Sequence, residues 1–150
     1  MVVARIGEPA LPALARMLGE PTARRQAAEV LTRMGSKGAP AVLELASVLR
    51  ADAPAEDKRA ALEALHAIGQ RAAPAAPAVL ACMQAPQADL RAAAMRTLRY
   101  MFDYPRQKGA RTSLPEVLAE PKDETPAVRE AAIAALKDEN ALVREAAAAV

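Results

Sequence analysis

His66 and Cys82 are the chain's one imidazole and one thiol, so they bound the chemistry it could perform. A zinc site would have to manage with one sulfur and one ring nitrogen, which is short of the usual ligand sets. No second histidine, and no acid pair at metal spacing, accompanies His66, which reads as a solvated histidine on a helix surface. Cys82 lies in the apolar run Val79-Leu-Ala-Cys-Met83 and reads as a buried structural thiol. Glu29, Glu63 and Glu130 recur one helix pair apart, too far to act as a carboxylate dyad. The residues therefore offer no catalytic constellation, no metal site and no cofactor site.

The more informative side chains are arginines and tyrosines. Arg24, Lys58, Arg91, Arg129 and Arg144 fall in one column. It could be a phosphate-binding stripe, but it reads better as a structural ladder paired with acids of neighbouring turns such as Asp89, Asp123 and Asp138. A second set is set apart as a candidate partner-binding surface. It comprises Arg25, Arg33, Arg59, Glu63, His66, Arg96, Arg99, Tyr100, Tyr104 and Arg106. Arg96, Arg99 and Tyr100 cluster within one turn, and all three aromatics lie between Tyr100 and Tyr104, with Phe102 among them. Tyr and Arg are enriched in binding hot spots. The segment 103–111 is the longest insertion outside the repeat and adds Arg106, Lys108 and Arg111.

The elements that must carry these residues are set by an internal repeat. Ala23-Arg-Arg-Gln-Ala-Ala-Glu-Val-Leu-Thr-Arg-Met-Gly35 returns as Asp57-Lys-Arg-Ala-Ala-Leu-Glu-Ala-Leu-His-Ala-Ile-Gly69. It returns again at 90–102, at Val128-Arg-Glu-Ala-Ala-Ile-Ala-Ala-Leu136, and in part from Val143. Arg24, Lys58, Arg91 and Arg129 of the basic column, and the column Leu31, Leu65, Leu98 and Leu136, both repeat at 34, 33 and 38 residues. Before each copy stands an apolar phrase: Leu11-Pro-Ala-Leu14, Ala39-Pro-Ala-Val-Leu43, Ala76-Pro-Ala-Val-Leu80 and Leu114-Pro-Glu-Val-Leu118. Each unit is thus two helix-favouring segments joined by a polar turn.

Second helices are predicted near 22–34, 55–68, 87–102 and 125–136, and first helices near 10–18, 39–50, 75–83 and 114–119. Pro12, Pro40, Pro77 and Pro115 are expected in the first turns of the first helices. Gly7, Gly35 and Gly69 are expected as left-handed C-terminal caps. Ser113 with Glu116, and Thr125 before Pro126, read as N-terminal caps. Ala27, Val30, Leu31 and Met34, then Ala61, Ala64, Leu65 and Ile68, should face the core. The second helix of unit four and the first helix of unit five are both open assignments for 126–136.

The pattern Gly-x-x-Ala-x-Pro-Ala-Leu, a turn, then Val-Arg-x-x-Ala-x-x-Ala-Leu-x-x-Ile-Gly resembles bacterial HEAT repeats, especially the short type of phycobilisome-lyase-like proteins. Tetratricopeptide and ankyrin repeats have similar periods, but their signature residues are missing. The resemblance covers nearly the whole chain. It implies an all-α, right-handed α-solenoid of antiparallel helix pairs forming one domain over 1–150. Units would span about 8–35, 36–69, 70–102 and 103–137, with partial units at 1–7 and 138–150. Because both ends fall inside a unit, the chain reads as a piece of a longer array. The resemblance also implies that second helices line a concave face and that the arginine column is structural.

Composition is consistent with this. The chain has 40 alanines, 53% hydrophobic residues and a net charge of +2, and so is not a disordered polar polymer. Residues 1–111 carry 16 basic and 10 acidic side chains, and 112–150 carry 4 and 8. The longest nearly uncharged run, 72–88, holds three prolines and is too short to span a bilayer, so no membrane partner is expected. A cytoplasmic location is the default for a chain with one thiol.

The function expected is a non-enzymatic scaffold that binds another protein through the second-helix face and the 103–111 loop. Sequence-nonspecific nucleic-acid binding through the arginines is the alternative, opposed by interleaved acids. An accessory subunit of a lyase-type enzyme is a third reading, carried by the resemblance alone. A HEAT-type hydroxylase would need repeated His-Glu pairs. A HEAT-like DNA glycosylase would want aromatics around an extruded base.

Overall fold

The computed structural model describes residues 10–102, 130 and 133–148. These are helical, with no strand among them. Helices α1 (Leu11–Gly19), α2 (Arg24–Met34), α3 (Val42–Arg50), α4 (Ala55–Ile68), α5 (Ala76–Cys82) and α6 (Ala88–Phe102) follow in order. Helix α7 (Ala141–Ala148) completes the described set. The 3-10 segments Gly35–Ala41 and Gly69–Ala75 lead into α3 and α5.

Packing sorts the helices into two rows. α1 contacts α3, and α3 contacts α5. In the other row α2 contacts α4, α4 contacts α6, and α6 contacts α7. The rows are tied by α1 on α2, α3 on α4 and α5 on α6. The core between them includes Leu14, Leu31, Leu45, Leu62, Leu65, Val79 and Leu98, all nearly or fully enclosed. Ala27, Ala28, Ala61, Ala64 and Ala94 are also fully enclosed. Methyl-sized side chains let backbones approach near the short end of the usual 8–10 Å spacing. Val30 and Met34 are half-buried, whereas the other six residues expected inside are buried.

The observed turns differ from those expected. Pro12 and Pro77 do stand at the second positions of α1 and α5, where a missing N–H is harmless. Pro40 does not lie in an α-helix. It sits inside the first 3-10 segment, where its structural counterpart is Pro74, not Pro77. The phrase Gly-x-(Lys/Arg)-x-Ala-Pro-Ala at 35–41 and 69–75 carries that equivalence at a spacing of 34. Gly35 and Gly69 have positive φ, 56° and 75°, as expected of capping glycines. Their ψ values of −133° and −137° lie far from the left-handed helix, so each glycine swings the chain straight into a 3-10 turn. A β-carbon on Gly69 would also come within 3.2 Å of Tyr100 Cε1.

Gly7, the first helix near 114–119, the caps at Ser113 and Thr125, and most of 126–136 lie outside the described residues. Residues 133–136 form a helical turn, and the chain then turns into α7. Asn140 caps α7 by accepting the Leu142 N–H at 2.9 Å, while its own N–H donates to Asp138 Oδ1 at 2.8 Å.

Candidate interaction surface

The basic column closes the turns between helices. Arg24 Nε donates to the Leu18 carbonyl at 3.1 Å, and Arg91 Nη1 donates to the Ala85 and Pro86 carbonyls at 2.9 and 3.0 Å. Arg144 Nη1 donates to the Asp138 and Glu139 carbonyls at 2.7 and 2.8 Å. In each case the guanidinium reaches the carbonyl six residues back, at or just beyond the end of the preceding helix. Such carbonyls lack helical partners and carry the negative end of the helix dipole. The column's lysine, Lys58, lacks the planar fork that makes this closure.

Arg24 and Arg91 also reach carboxylates far along the chain. Arg91 is held by Asp138 through two hydrogen bonds, Nε to Oδ2 at 3.0 Å and Nη2 to Oδ1 at 3.1 Å. Arg24 Nη1 lies 3.7 Å from Asp57 Oδ2, and Arg25 donates from Nε and Nη2 to Asp57 Oδ1 at 3.3 Å. Asp138 was expected in this ladder. Asp57, the partner of Arg24, was not, and Asp89 lies instead 4.0 Å from Arg59. Asp123 and Arg129 lie outside the described residues. The available signal for Asp57 was its place immediately before the basic column.

Arg91 holds the Asp138 carboxyl below its ordinary value of 3.8, helped by the Asn140 amide. A carboxylate whose folded pKa is depressed stabilises the fold above its unfolded pKa, and that contribution is lost as pH falls through the folded value. The α6–α7 junction should therefore hold steady above pH 3.8 and weaken below it. Acid titration by circular dichroism should show a less steep acid limb for Asp138→Asn, together with lower stability at pH 7. Identical acid limbs would remove Asp138 from this role.

The candidate surface residues fall into three groups. Arg25, Arg33, Arg59, Glu63, His66, Arg96 and Tyr100 are exposed on α2, α4 and α6. Some of them pair with acids: Arg25 with Glu56 at 2.8 Å, and Arg59 with Glu63 at 3.5 Å. Arg99 is half-buried, because α7 covers its side of α6, and its Nη1 donates to the Ala146 carbonyl at 3.1 Å. Arg99 and Tyr100 thus diverge: Arg99 binds α7, while Tyr100 turns back to α4. Tyr104, Arg106, the 103–111 loop and the Phe102 side chain lie outside the described residues.

His66 is more engaged than a freely solvated histidine. Its ring stacks on Tyr100 with centroids 4.6 Å apart and planes at 26°. This cover lowers its pKa from 6.5, while a hydrogen bond with the Arg96 backbone opposes the shift and the Arg96 charge adds to it. Cys82 is buried, and that burial pushes its thiol up, with nearby Lys58 pulling weakly the other way. The thiol is thereby kept protonated and unreactive. Thr97, at the position occupied by Val30 and Ala64 in the other units, is a buried exception. Its hydroxyl proton is shared between the Ala93 carbonyl at 2.8 Å and the Leu62 carbonyl at 3.2 Å, which links α6 to α4.

Among the described residues no three His, Cys, Asp or Glu side chains converge as metal ligands would, and no helix is long and apolar enough to cross a membrane. No family model, no curated protein and no solved structure matches the chain.

Proposed function

We propose that the chain is a HEAT-like α-solenoid that serves as a protein-interaction scaffold, using the outward side of the α2–α4–α6 row. The observation that carries this reading is the row itself. The helices pack in sequence, α2 on α4 and α4 on α6, and expose Arg33, His66, Arg96 and Tyr100, with His66 stacked on Tyr100, over a framework of buried leucine and alanine. Rigid presentation lowers the ordering cost of binding, and the set combines arginine with an aromatic that is 51% exposed. In this reading α7 is the second helix of the unit after α6, and 133–136 ends the first helix of that unit. The shared carbonyl closure by Arg91 and Arg144 supports that assignment.

The nucleic-acid alternative needs Arg25, Arg33, Arg59, Arg96 and Arg99 to be available together. Arg25 and Arg59 are paired with acids, and Arg99 is bonded to α7, so the protein reading is favoured.

The test is a quantitative pull-down comparing the wild-type chain with a folded Arg33→Ala, Arg96→Ala, Tyr100→Ala variant. A protein retained by the wild type and lost by the variant supports this set. A partner retained equally by both moves binding to another face. Recovery of no specific protein counts against a scaffold role.

A further inference from the structure

We propose that the edge formed by the C-terminal ends of α2, α4 and α6, with the two 3-10 segments, docks an extended acidic segment of a partner protein. This rests on the scaffold reading and gives the partner a chemistry. The observation is a segregation of charge. Arg33, Lys37, Arg71 and Arg96 are exposed, and among the described residues none has a carboxylate within ion-pair distance. Residues 30–43, 64–88 and 90–102 contain no Asp or Glu. The acids Glu20, Asp52, Glu56, Asp57 and Asp89 belong to the turns and helix starts at the opposite edge, and Glu29 and Glu63 stand midway along α2 and α4, Glu63 paired with Arg59. Glu44, at the start of α3, is half-buried with its Oε2 enclosed.

Helix electrostatics account for Arg33, in the last turn of α2, but not for the two cations of the 3-10 segments. Lys37 and Arg71 stand in the first turns of their 3-10 segments, where a helix start favours anions. The two segments contact one another, so these equivalent cations, 34 residues apart in sequence, sit on adjoining backbone. Like charges gathered on one edge raise the local potential and attract an anionic ligand. Beside them Tyr100 lies over Gly69, two residues before Arg71, and stacks on His66. The edge thus offers cations around an exposed aromatic face, which suits carboxylates flanking an apolar side chain.

Two helix spacings of 8–10 Å separate α2 from α6, so about six extended residues would cross the edge. A nucleic acid carries its charges along a long polymer. Continuing past this edge, it would meet the exposed Glu29, Glu56, Glu63 and Asp89. A short acidic segment avoids them.

The experiment is fluorescence anisotropy on the full chain with fluorescein-labelled decaglutamate, and with a labelled ten-nucleotide oligothymidylate in parallel. Decaglutamate should bind at low salt and weaken steeply as salt rises. Lys37→Glu with Arg71→Glu should lower its affinity at least tenfold. Arg16→Glu with Arg50→Glu, an equal charge change at the ends of α1 and α3, should lower it less than threefold. If charge reversal disturbs folding, Lys37→Gln with Arg71→Gln should preserve that ordering with a smaller drop. No binding of decaglutamate, or equal loss in both double variants, overturns the proposal. Oligothymidylate bound as tightly and lost with Lys37 and Arg71 also overturns it, in favour of a phosphate polymer. In the pull-down, a specific partner retained by the Lys37→Glu, Arg71→Glu chain refutes the edge while leaving the scaffold standing.

Discussion

Leu65→Ala should destabilise the chain by about 2–5 kcal/mol, the range for truncating a buried leucine. Leu65 is fully enclosed in α4, a helix that touches α2, α3 and α6. Its neighbours Ala61 and Ala64 are already small, so little nearby bulk can move in to fill the space, and the cavity term should persist. In a domain of this length a loss of about 3 kcal/mol corresponds to roughly 6–12 °C in melting temperature. The internal control is the same substitution at Leu43, which is 65% exposed on α3 and should change stability by no more than about 0.5 kcal/mol. Thermal or urea unfolding of the two variants decides the matter. A Leu65→Ala shift below about 2 °C, or one equal to that of Leu43→Ala, would place Leu65 outside the core.

That contrast shows which parts of the fold are legible in sequence. Of the column Leu31, Leu65, Leu98 and Leu136, the first three are enclosed because equivalent helices bury equivalent residues, whereas Leu136 is half-buried. All-helical structure followed from the same periodicity. The turns were harder, because proline is compatible with the start of an α-helix and with a 3-10 segment. Choosing between them required seeing that Pro40 and Pro74, rather than Pro40 and Pro77, share a preceding glycine with positive φ. Repetition of the short phrase Ala-Pro-Ala-Val-Leu masked that longer match.

The surface was less legible for a related reason. A periodic helix face shows which positions point away from the core, but not which neighbour covers them. Arg99 and Tyr100 are adjacent in sequence, yet α7 claims one and α4 the other. Arg24, Arg91 and Arg144 hold backbone carbonyls six residues back, a geometry that depends on the turn before each helix. Asp57 is not legible as buried, because the run Glu56-Asp57-Lys58-Arg59 resembles an ordinary solvated helix start. Its burial comes from α2 laying Arg24 and Arg25 over it.

Asp57→Asn should therefore cost far more than its place in a charged helix start suggests. Asp57 is only 4% exposed, and Arg24 beside it is 9% exposed. The carboxylate faces Arg24 at 3.7 Å, accepts two hydrogen bonds from Arg25, and lies in the first turn of α4, where a negative charge is favoured. Neutralising it leaves the Arg24 guanidinium covered with no counterion, although its bond to the Leu18 carbonyl remains. Removing one partner of a buried pair typically costs 3–5 kcal/mol, and the remaining carbonyl bond argues for the lower end, about 3 kcal/mol. Glu56→Gln is the matched comparison, since Glu56 also pairs with Arg25, at 2.8 Å, but has a side chain 75% exposed. Exposed pairs contribute at most about 1 kcal/mol, so this variant should unfold almost with the wild type. Arg24→Met combined with Asp57→Leu should recover part of the Asp57→Asn loss, because it removes the stranded charge as well as its partner. Equal destabilisation by Asp57→Asn and Glu56→Gln in urea unfolding would mean that Asp57 is solvated in solution and that the α2–α4 junction rests on its apolar residues alone.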